Sequence, residues 1–415
     1  MMKLYDAVVV GGGPAGATAA TELARRGRSV LLLDGSWRIK PCGGAIPPQL
    51  IEEFAIPESL LVARVTSARI VSPTDRRVDM PIEGGFVGMV DRGPFDQWLR
   101  ERAKSAGAAY EVGTFESTRR AEDGTSIVEY RRGEKSDGDV VTVRTRSIIG
   151  ADGAHSSVAN LVMASLRRRP MFTAYDEASR MVPGANRMRY VAAYHEIVRS
   201  PRVDSATFDG ARCEVYYQGT LSPDFYGWVF PHGDTTSVGV GTARRGFPMR
   251  EAVRALRDAA GLESAEVVRR EGAPIPLHPW HRWDDGYNTV LAGDAAGVVA
   301  PASGEGIYYA MVGGRLAAEA VDEFCTTGKP KVLRQARRRF MSAHGRVFWI
   351  LGMMQRYWYA NDSRRERFVS ICGDPDVQRL TWQAYMNKKL VRAKPFAHVR
   401  IFFKNLAHLG GLVPP

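Results

Sequence analysis

Short apolar runs alternate with amphipathic stretches along this chain, and their spacing predicts most of its elements. Asp6-Ala7-Val8-Val9-Val10 is a compact β-branched run of the kind buried in a parallel sheet. Apolar residues at helical spacing follow from Ala17 to Arg26 and stop at Gly27, and Val30-Leu31-Leu32-Leu33 forms a second strand. Val65 to Gly88 reads as strands broken by turns at Pro73-Thr74-Asp75 and Glu83-Gly84-Gly85. A helix opens near Pro94 and closes at Gly107-Ala108. Glu122 to Val143 reads as a hairpin region, and Ser147-Ile148-Ile149 as a strand that runs into Asp152-Gly153. From Arg167 to Glu271 the texture is strands and turns, among them Val191–Val198 and Glu214–Tyr217. Thr289-Val290-Leu291 begins a further strand–turn–helix unit with a helix reaching Phe324, and the chain from Lys331 onward reads as helical.

Chemistry gathers at the ends of the strands. Gly11, Gly13 and Gly16, with Pro14 and Ala15 between them, occupy G-x-G-x-x-G between a strand and a helix. The first glycine makes the tight turn, the second lets backbone approach a pyrophosphate, and the third lets helix pack on strand. The helix N-terminus offers free N–H groups and a positive dipole end to the phosphates. Asp34 closes the second strand 18 residues after Gly16, where a carboxylate holds a ribose hydroxyl. These residues predict a dinucleotide site and do not choose between FAD and NAD. Asp152, Gly293 and Asp294 end two later strands, where open α/β sheets bind ligands. Gly304, Gly306 and Ile307 precede the last helix of the unit and again leave backbone N–H groups free, here for the carbonyl edge of a flavin.

Other motifs carry two readings each. The loop Arg38 to Pro48 contains Cys42, Gly43 and Gly44; it is either a tight turn with a small buried thiol or a loop that brings thiol and backbone against a cofactor ring. Arg92 lies just upstream of its helix, free to reach a phosphate or flavin, or is a plain surface arginine. Tyr226, Trp228 and Phe230, followed by Pro231, share one strand face by period two. They form either a core face or the wall of an apolar substrate pocket, with Tyr217 as a further candidate.

Composition is that of a globular protein of two or three domains, with 415 residues, 45% hydrophobic and 25% charged. The four cysteines, Cys42, Cys213, Cys325 and Cys372, lack C-x-x-C spacing, which excludes a zinc cluster or disulfide framework and fits a reducing cytoplasm. No metal site is read. A strand begins almost at once, leaving no room for a signal peptide, and no apolar run approaches the ~18 residues of a membrane span. The net charge of +12 is unevenly placed: residues 331–415 hold 17 Lys and Arg against 4 Asp and Glu, and the remainder is nearly neutral. Charge of this kind selects partners, either nucleic acid or an anionic membrane. Phe348, Trp349, Tyr357, Trp358, Tyr359, Trp382, Phe402 and Phe403 interleave with it, and Lys388, Lys389, Arg392 and Lys394 cluster within it.

Taken together, Cys42-Gly43-Gly44, Asp152-Gly153, Gly293-Asp294 and residues 223–231 resemble the flavin-dependent geranylgeranyl reductases over nearly the full length. The pattern Y-x-W-x-F-P, seven residues, then G-x-G is met by Tyr226, Trp228, Phe230, Pro231, Gly239 and Gly241. Lys40 to Pro48 and Trp382 to Val391 resemble the photosynthetic branch, the bacteriochlorophyll geranylgeranyl reductases of phototrophic bacteria. One departure is Asn160, where the family tends to carry an Arg.

The resemblance implies an α/β chain, α+β overall, with a Rossmann-like FAD-binding domain of the p-hydroxybenzoate hydroxylase type, an antiparallel-sheet substrate domain and a helical C-terminal region. The expected boundaries are 1–165 and 286–330 for the FAD domain, with strands of the substrate sheet inserted around 65–90. The substrate domain is then 166–285 and the helical region 331–415. The implied cofactor residues are Gly11, Gly13, Pro14, Ala15, Gly16, Asp34, Cys42, Gly43, Gly44, Arg92, Asp152, Gly293, Asp294, Gly304, Gly306 and Ile307, and the implied catalytic residue is Cys42. The implied activity is saturation of isolated alkenes of a geranylgeranyl group to leave phytyl, in (bacterio)chlorophyll biosynthesis. The substrate is geranylgeranyl diphosphate or the prenylated tetrapyrrole, and NADPH is the expected donor, with ferredoxin as an alternative. The expected location is peripheral, on the cytoplasmic side of a bacterial membrane, with an anionic surface or a membrane-bound pigment synthase as partner and no nucleic acid. A flavin monooxygenase on the same fold and a non-catalytic flavin-carrying membrane protein are the alternatives.

Overall fold

The structure, a computed structural model, describes residues 2–35, 39–133, 138–167 and 190–388. The chain forms two compact units. The first comprises 1–39, 93–190 and 275–346; the second comprises 40–92, 191–274 and 347–415. The inserted strands therefore belong wholly to the second unit, together with the loop of Cys42, and the C-terminal region divides at 346 instead of forming a third body.

The first unit is built on a parallel sheet. Its strands are β1 (Leu4–Val10), β2 (Val30–Asp34), β8 (Ala109–Arg120), β10 (Val140–Gly150) and β16 (Thr289–Leu291). They lie in the order β8-β2-β1-β10-β16, all parallel. β9 (Ser126–Arg132) pairs antiparallel with the outer parts of both β8 and β10. Val8, Val9, Leu31, Leu32, Ile148 and Ile149 are fully buried, as continuous apolar strands must be when both faces are covered. Helix α1 (Pro14–Arg25) carries proline at its first position and ends before Gly27, whose φ is +77°. Helix α6 (Ile307–Thr327) lies so close to α1 that a Cβ at Gly314 would overlap the backbone of Ala15.

The second unit holds a seven-stranded sheet. Its members are β5 (Ser67–Val71), β6 (Arg77–Pro81), β11 (Tyr190–Arg199), β12 (Arg212–Tyr216), β13 (Gly227–His232), β14 (Thr235–Thr242) and β15 (Val267–Pro276). The order is β15-β11-β14-β13-β12-β5-β6. A small sheet of β3 (Ala45–Ile46), β7 (Val87–Val90) and β4 (Leu61–Val65) adjoins the Cys42 loop. The two expected turns are present, with Asp75 at φ +60° and Gly84 at φ +68°.

Three expectations are corrected here. The stretch expected to be strands and turns contains helix α5 (Met249–Ala259), whose Ala252, Val253 and Leu256 pack on Val238 and Val240 of the sheet. Arg92 opens helix α3 (Arg92–Ser105) instead of preceding it, and it is buried, so it is not a free surface arginine. The C-terminal aromatics do not form one exposed set: Tyr357, Trp358 and Trp382 are half-buried. The region consists of α7 (Arg334–Trp358), α8 (Asp362–Cys372) and α9 (Pro375–Asn387). Phe348 and Tyr359 are buried, and Trp382 and Tyr385 pack on Val65, Ile82, Val87 and Met89, while Trp349 remains 64% exposed. Lys388 is buried, its ammonium 3.8 Å from the centre of the Tyr385 ring. Lys389, Arg392, Lys394, Phe402 and Phe403 lie outside the described residues, as does most of the segment after Asn160. Among the described residues no helix is long and apolar enough to cross a membrane.

Candidate functional site

In the first unit the parallel strands end at one edge, and their turns are stitched together. Gly11 N–H donates to Leu33 O (2.7 Å), Ala151 N–H to Val10 O (2.8 Å) and Ala292 N–H to Gly150 O (2.9 Å). Gly11, at φ +105°, lies against Ala151, so a side chain there would overlap backbone. Gly16 passes equally close to Gly11 O. Gly13 behaves differently. It caps α1 in an extended conformation, and a Cβ built on it meets nothing within 4 Å. Two glycines thus close the fold and one faces open space at a helix N-terminus that carries no acidic residue in its first turn. That is the arrangement a pyrophosphate requires.

Asp34 stands at this edge beside Gly12. A Cβ at Gly12 would come within 2.7 Å of Asp34 Oδ2, so the second glycine of the run makes room for the carboxylate. Arg100 Nη1 reaches the same oxygen at 3.3 Å. No local signal in the sequence marks Gly12 or Arg100 for this role; Arg100 is 66 residues from its partner, and no spacing announces the pair. The Asp152 carboxylate accepts from Ser156 Oγ and from Val158 N–H (3.2 Å), so its side chain shapes the turn into α4 (Ser157–Arg167). Burial pushes its pKa above the usual carboxylate range, opposed by these bonds. Gly293, at φ +62°, packs on Ala15, where a Cβ would lie 2.7 Å from Ala15 Cβ. Asp294 is buried, and Gly306 lies near its carboxylate at the cap of α6, just before Ile307. Gly304 belongs to the preceding loop, held by Gly304 N–H to Ala300 O (3.0 Å) and Ala300 N–H to Glu305 O (2.9 Å). Ala302 in that loop holds a left-handed φ of +64°, local strain of a kind found at ligand sites. The structure therefore brings Gly11, Gly13, Pro14, Ala15, Gly16, Asp34, Asp152, Gly293, Asp294, Gly306 and Ile307 to one edge.

Cys42, Gly43, Gly44 and Arg92 belong to the second unit, as do Tyr217, Tyr226, Trp228, Phe230 and Pro231. Within that unit the cysteine loop rests on the aromatic strand. A Cβ at Gly43 would be 3.1 Å from the Phe230 ring, and one at Gly44 (φ +67°) would be 2.5 Å from His232 Nε2. Gly44 N–H points at Cys42 Sγ (3.4 Å), and the thiol is free and partly exposed. His232 Nδ1 lies 2.9 Å from Phe230 O, and burial holds its pKa below the ordinary imidazole value. The period-two reading of the aromatics holds: the rings of Tyr226 and Trp228 are 6.1 Å apart and those of Trp228 and Phe230 6.3 Å. Tyr217 continues the row, 6.0 Å from Tyr226 and 5.0 Å from Tyr359, whose hydroxyl donates to Tyr217 Oη at 3.1 Å. Burial raises the pKa of both tyrosines, so both are neutral phenols. Arg365, buried on α8, ties this end down by donating to the carbonyls of Pro223 (2.5 Å) and Tyr359 (2.6 Å).

A parallel sheet with glycine turns along one edge, joined in one chain to a mostly antiparallel sheet with an aromatic face, is the FAD-dependent oxidoreductase fold shared by reductases and monooxygenases. The fold matches that of a geranylgeranyl bacteriochlorophyll reductase-like protein from Thermoplasma acidophilum, with a TM-score of 0.77 at 21% identity over all of both chains. Residues 5–171 match the pyridine nucleotide-disulphide oxidoreductase family. The chain is 54% identical to a geranylgeranyl diphosphate reductase of Rhodobacter capsulatus over 99% of both chains. It is 34% identical to a chloroplastic geranylgeranyl diphosphate reductase of Oryza sativa, over 97% of this chain and 85% of the relative. The chain belongs to the geranylgeranyl diphosphate reductase family.

Proposed function

We propose that this chain is an FAD-dependent reductase of bacteriochlorophyll biosynthesis. It saturates isolated C=C bonds of a geranylgeranyl group, on geranylgeranyl diphosphate or on the prenylated tetrapyrrole, with NADPH as electron donor. The full-length likeness to the Rhodobacter reductase carries this reading. The first-unit edge fits the cofactor: the open face of Gly13 and the free N–H groups of α1 would take the pyrophosphate, and Asp34 a ribose hydroxyl. When bound, FAD supplies a hydride equivalent.

An unconjugated trisubstituted alkene has no electron sink, so its second carbon must receive a proton while water is kept out. Cys42 is the proposed catalytic residue, positioning the reacting bond or supplying that proton. Gly43 and Gly44 hold it against Phe230 and His232. Tyr217, Tyr226, Trp228, Phe230 and Pro231 form the proposed wall, whose ring faces attract positive charge developing on the prenyl chain. Arg92, buried at the start of α3, is proposed to serve the cofactor.

A prenyl group of four isoprene units is insoluble in water, which favours peripheral docking on anionic membrane, with a membrane-bound pigment synthase as the proposed source of substrate. In support, Arg346, Trp349, Met353 and Arg356 of α7 are all exposed at three- and four-residue spacing, placing cations beside a large ring on one helical face. Anaerobic reduction of the flavin followed by addition of geranylgeranyl substrate tests the activity. Reoxidation with stepwise gain of hydrogen pairs by mass spectrometry is expected. Reoxidation only by oxygen, with peroxide release or a hydroxylated product, would establish the monooxygenase alternative instead.

A further inference from the structure

A buried polar chain leads from Trp228 across the neighbouring strands on the same sheet face, and beyond Trp228 the proposed reaction does not use it. It takes one side chain from each of four adjacent strands: Glu271 from β15, His195 from β11, Ser237 from β14 and Trp228 from β13. Trp228 Nε1 lies 3.0 Å from Ser237 Oγ, and Ser237 Oγ lies 2.9 Å from His195 Nδ1. His195 Nε2 faces Glu271 Oε2 at 3.2 Å, and Arg269 pairs with the other carboxylate oxygen. His195 is 2% exposed and Ser237 fully buried.

The hydrogens of this chain follow from the groups themselves. An indole N–H only donates, so the Ser237 oxygen accepts from it. Among the described residues the Ser237 hydroxyl touches no acceptor other than His195 Nδ1, so its hydrogen goes there, and the ring hydrogen of His195 sits on Nε2, the side that faces Glu271. A hydroxyl occupied in this way by an indole is not a nucleophile, and the chain ends on a ring. Gly239 completes the device. It is the cross-strand partner of both Trp228 and His195. A Cβ there would lie 2.5 Å from His195 Cβ and 2.7 Å from Trp228 Cε2. The missing side chain is what lets the indole lie across β14 and reach Ser237.

We propose that His195 is a positioning residue: acting through Ser237, it fixes the orientation of the Trp228 indole, and that orientation sets how far successive double bonds of the prenyl chain are reduced. The proposal rests on the reading of Trp228 as substrate wall. The test uses flavin-loaded full-length enzyme, with FAD content and near-ultraviolet circular dichroism measured for every variant. His195→Phe removes the acceptor for Ser237; His195→Asn restores one near the position of Nδ1; Ser237→Ala removes the bridge; Trp228→Phe removes the indole.

The expected result for His195→Phe and Ser237→Ala is a fall in kcat/KM of about tenfold, carried mainly by KM, with accumulation of dihydro and tetrahydro products. His195→Asn should return both readouts to near wild type. Wild-type KM and products in His195→Phe and Ser237→Ala, alongside altered ones in Trp228→Phe, would overturn the proposal while leaving the wall reading intact. Equal losses in His195→Asn and His195→Phe would also overturn it, because burial alone would then explain the residue. Wild-type behaviour of Trp228→Phe would remove the wall reading and the proposal together. Should His195→Phe not fold, Ser237→Ala and His195→Asn carry the same comparison.

Discussion

Replacing Gly13 by valine separates the two roles that glycines play in the nucleotide turn. At Gly16 a new Cβ would overlap Gly11 O, so a side chain there damages the fold itself. At Gly13 the backbone is extended (φ −76°, ψ −174°), which any residue adopts, and nothing lies within 4 Å of the added Cβ. The cofactor-free protein should therefore keep its stability. Loss of glycine freedom in the unfolded chain favours the variant by about 0.4–1 kcal/mol, and the poorer helix cap costs a similar few tenths to 1 kcal/mol. The added methyl groups instead enter the space proposed for the pyrophosphate. Forcing the phosphates away from the α1 N–H groups loses at least one charge-assisted hydrogen bond, about 1.5–3 kcal/mol, or roughly 10- to 150-fold in FAD affinity. The assay is titration of cofactor-free protein with FAD, followed by flavin fluorescence, beside thermal unfolding of the same preparations. Unchanged FAD affinity in Gly13→Val would refute the placement of the pyrophosphate. A large fall in cofactor-free stability would refute the claim that the space at Gly13 is open.

Gly239→Ala should destabilise by about 1–3 kcal/mol through overpacking against the Trp228 ring and His195, read as a lower denaturant midpoint at unchanged slope. Cys42→Ser should leave flavin reduction intact and slow alkene saturation, with partly reduced chains detected by mass spectrometry; wild-type product distribution would leave Cys42 as packing against its own loop. Flotation with liposomes should show binding that rises with anionic lipid and falls in high salt. Replacing Trp349 with Ser and Arg346 and Arg356 with Gln should weaken that binding, and equal binding to neutral vesicles would remove the electrostatic reading of this face.

Much of the nucleotide site is legible in the sequence because it is contiguous. Strand, glycine turn, helix and acid all lie between Asp6 and Asp34, and each is announced by local periodicity or by a residue type that a turn demands. The aromatic face is legible for the same reason: period two assigns Tyr226, Trp228 and Phe230 to one side of a strand wherever that strand lies. Helix α5 carried a usable signal in Ala252, Val253 and Leu256 against Arg250, Glu251, Arg254 and Arg257, but eleven residues between strands are easily read as more of the same.

Periodicity names a face and says nothing of what lies opposite, and there only the tertiary structure decides. It pairs Asp34 with Arg100 and gives Gly12 the task of making room for that carboxylate. It turns Phe348, Tyr359 and Trp382 inward, although interleaved charge suggested an interface. It seats the Cys42 loop on Phe230 and His232, far along the chain. It also explains the spacing of the G-x-G pair: Gly239 accommodates Trp228, and Gly241 accommodates Phe225, where a Cβ would meet the ring at 2.7 Å. The sequence determined which strands and turns can exist, because local backbone preferences act between neighbours. Which side chain fills the space above a glycine depends on strand order and register, and those are set by burying the two sheets.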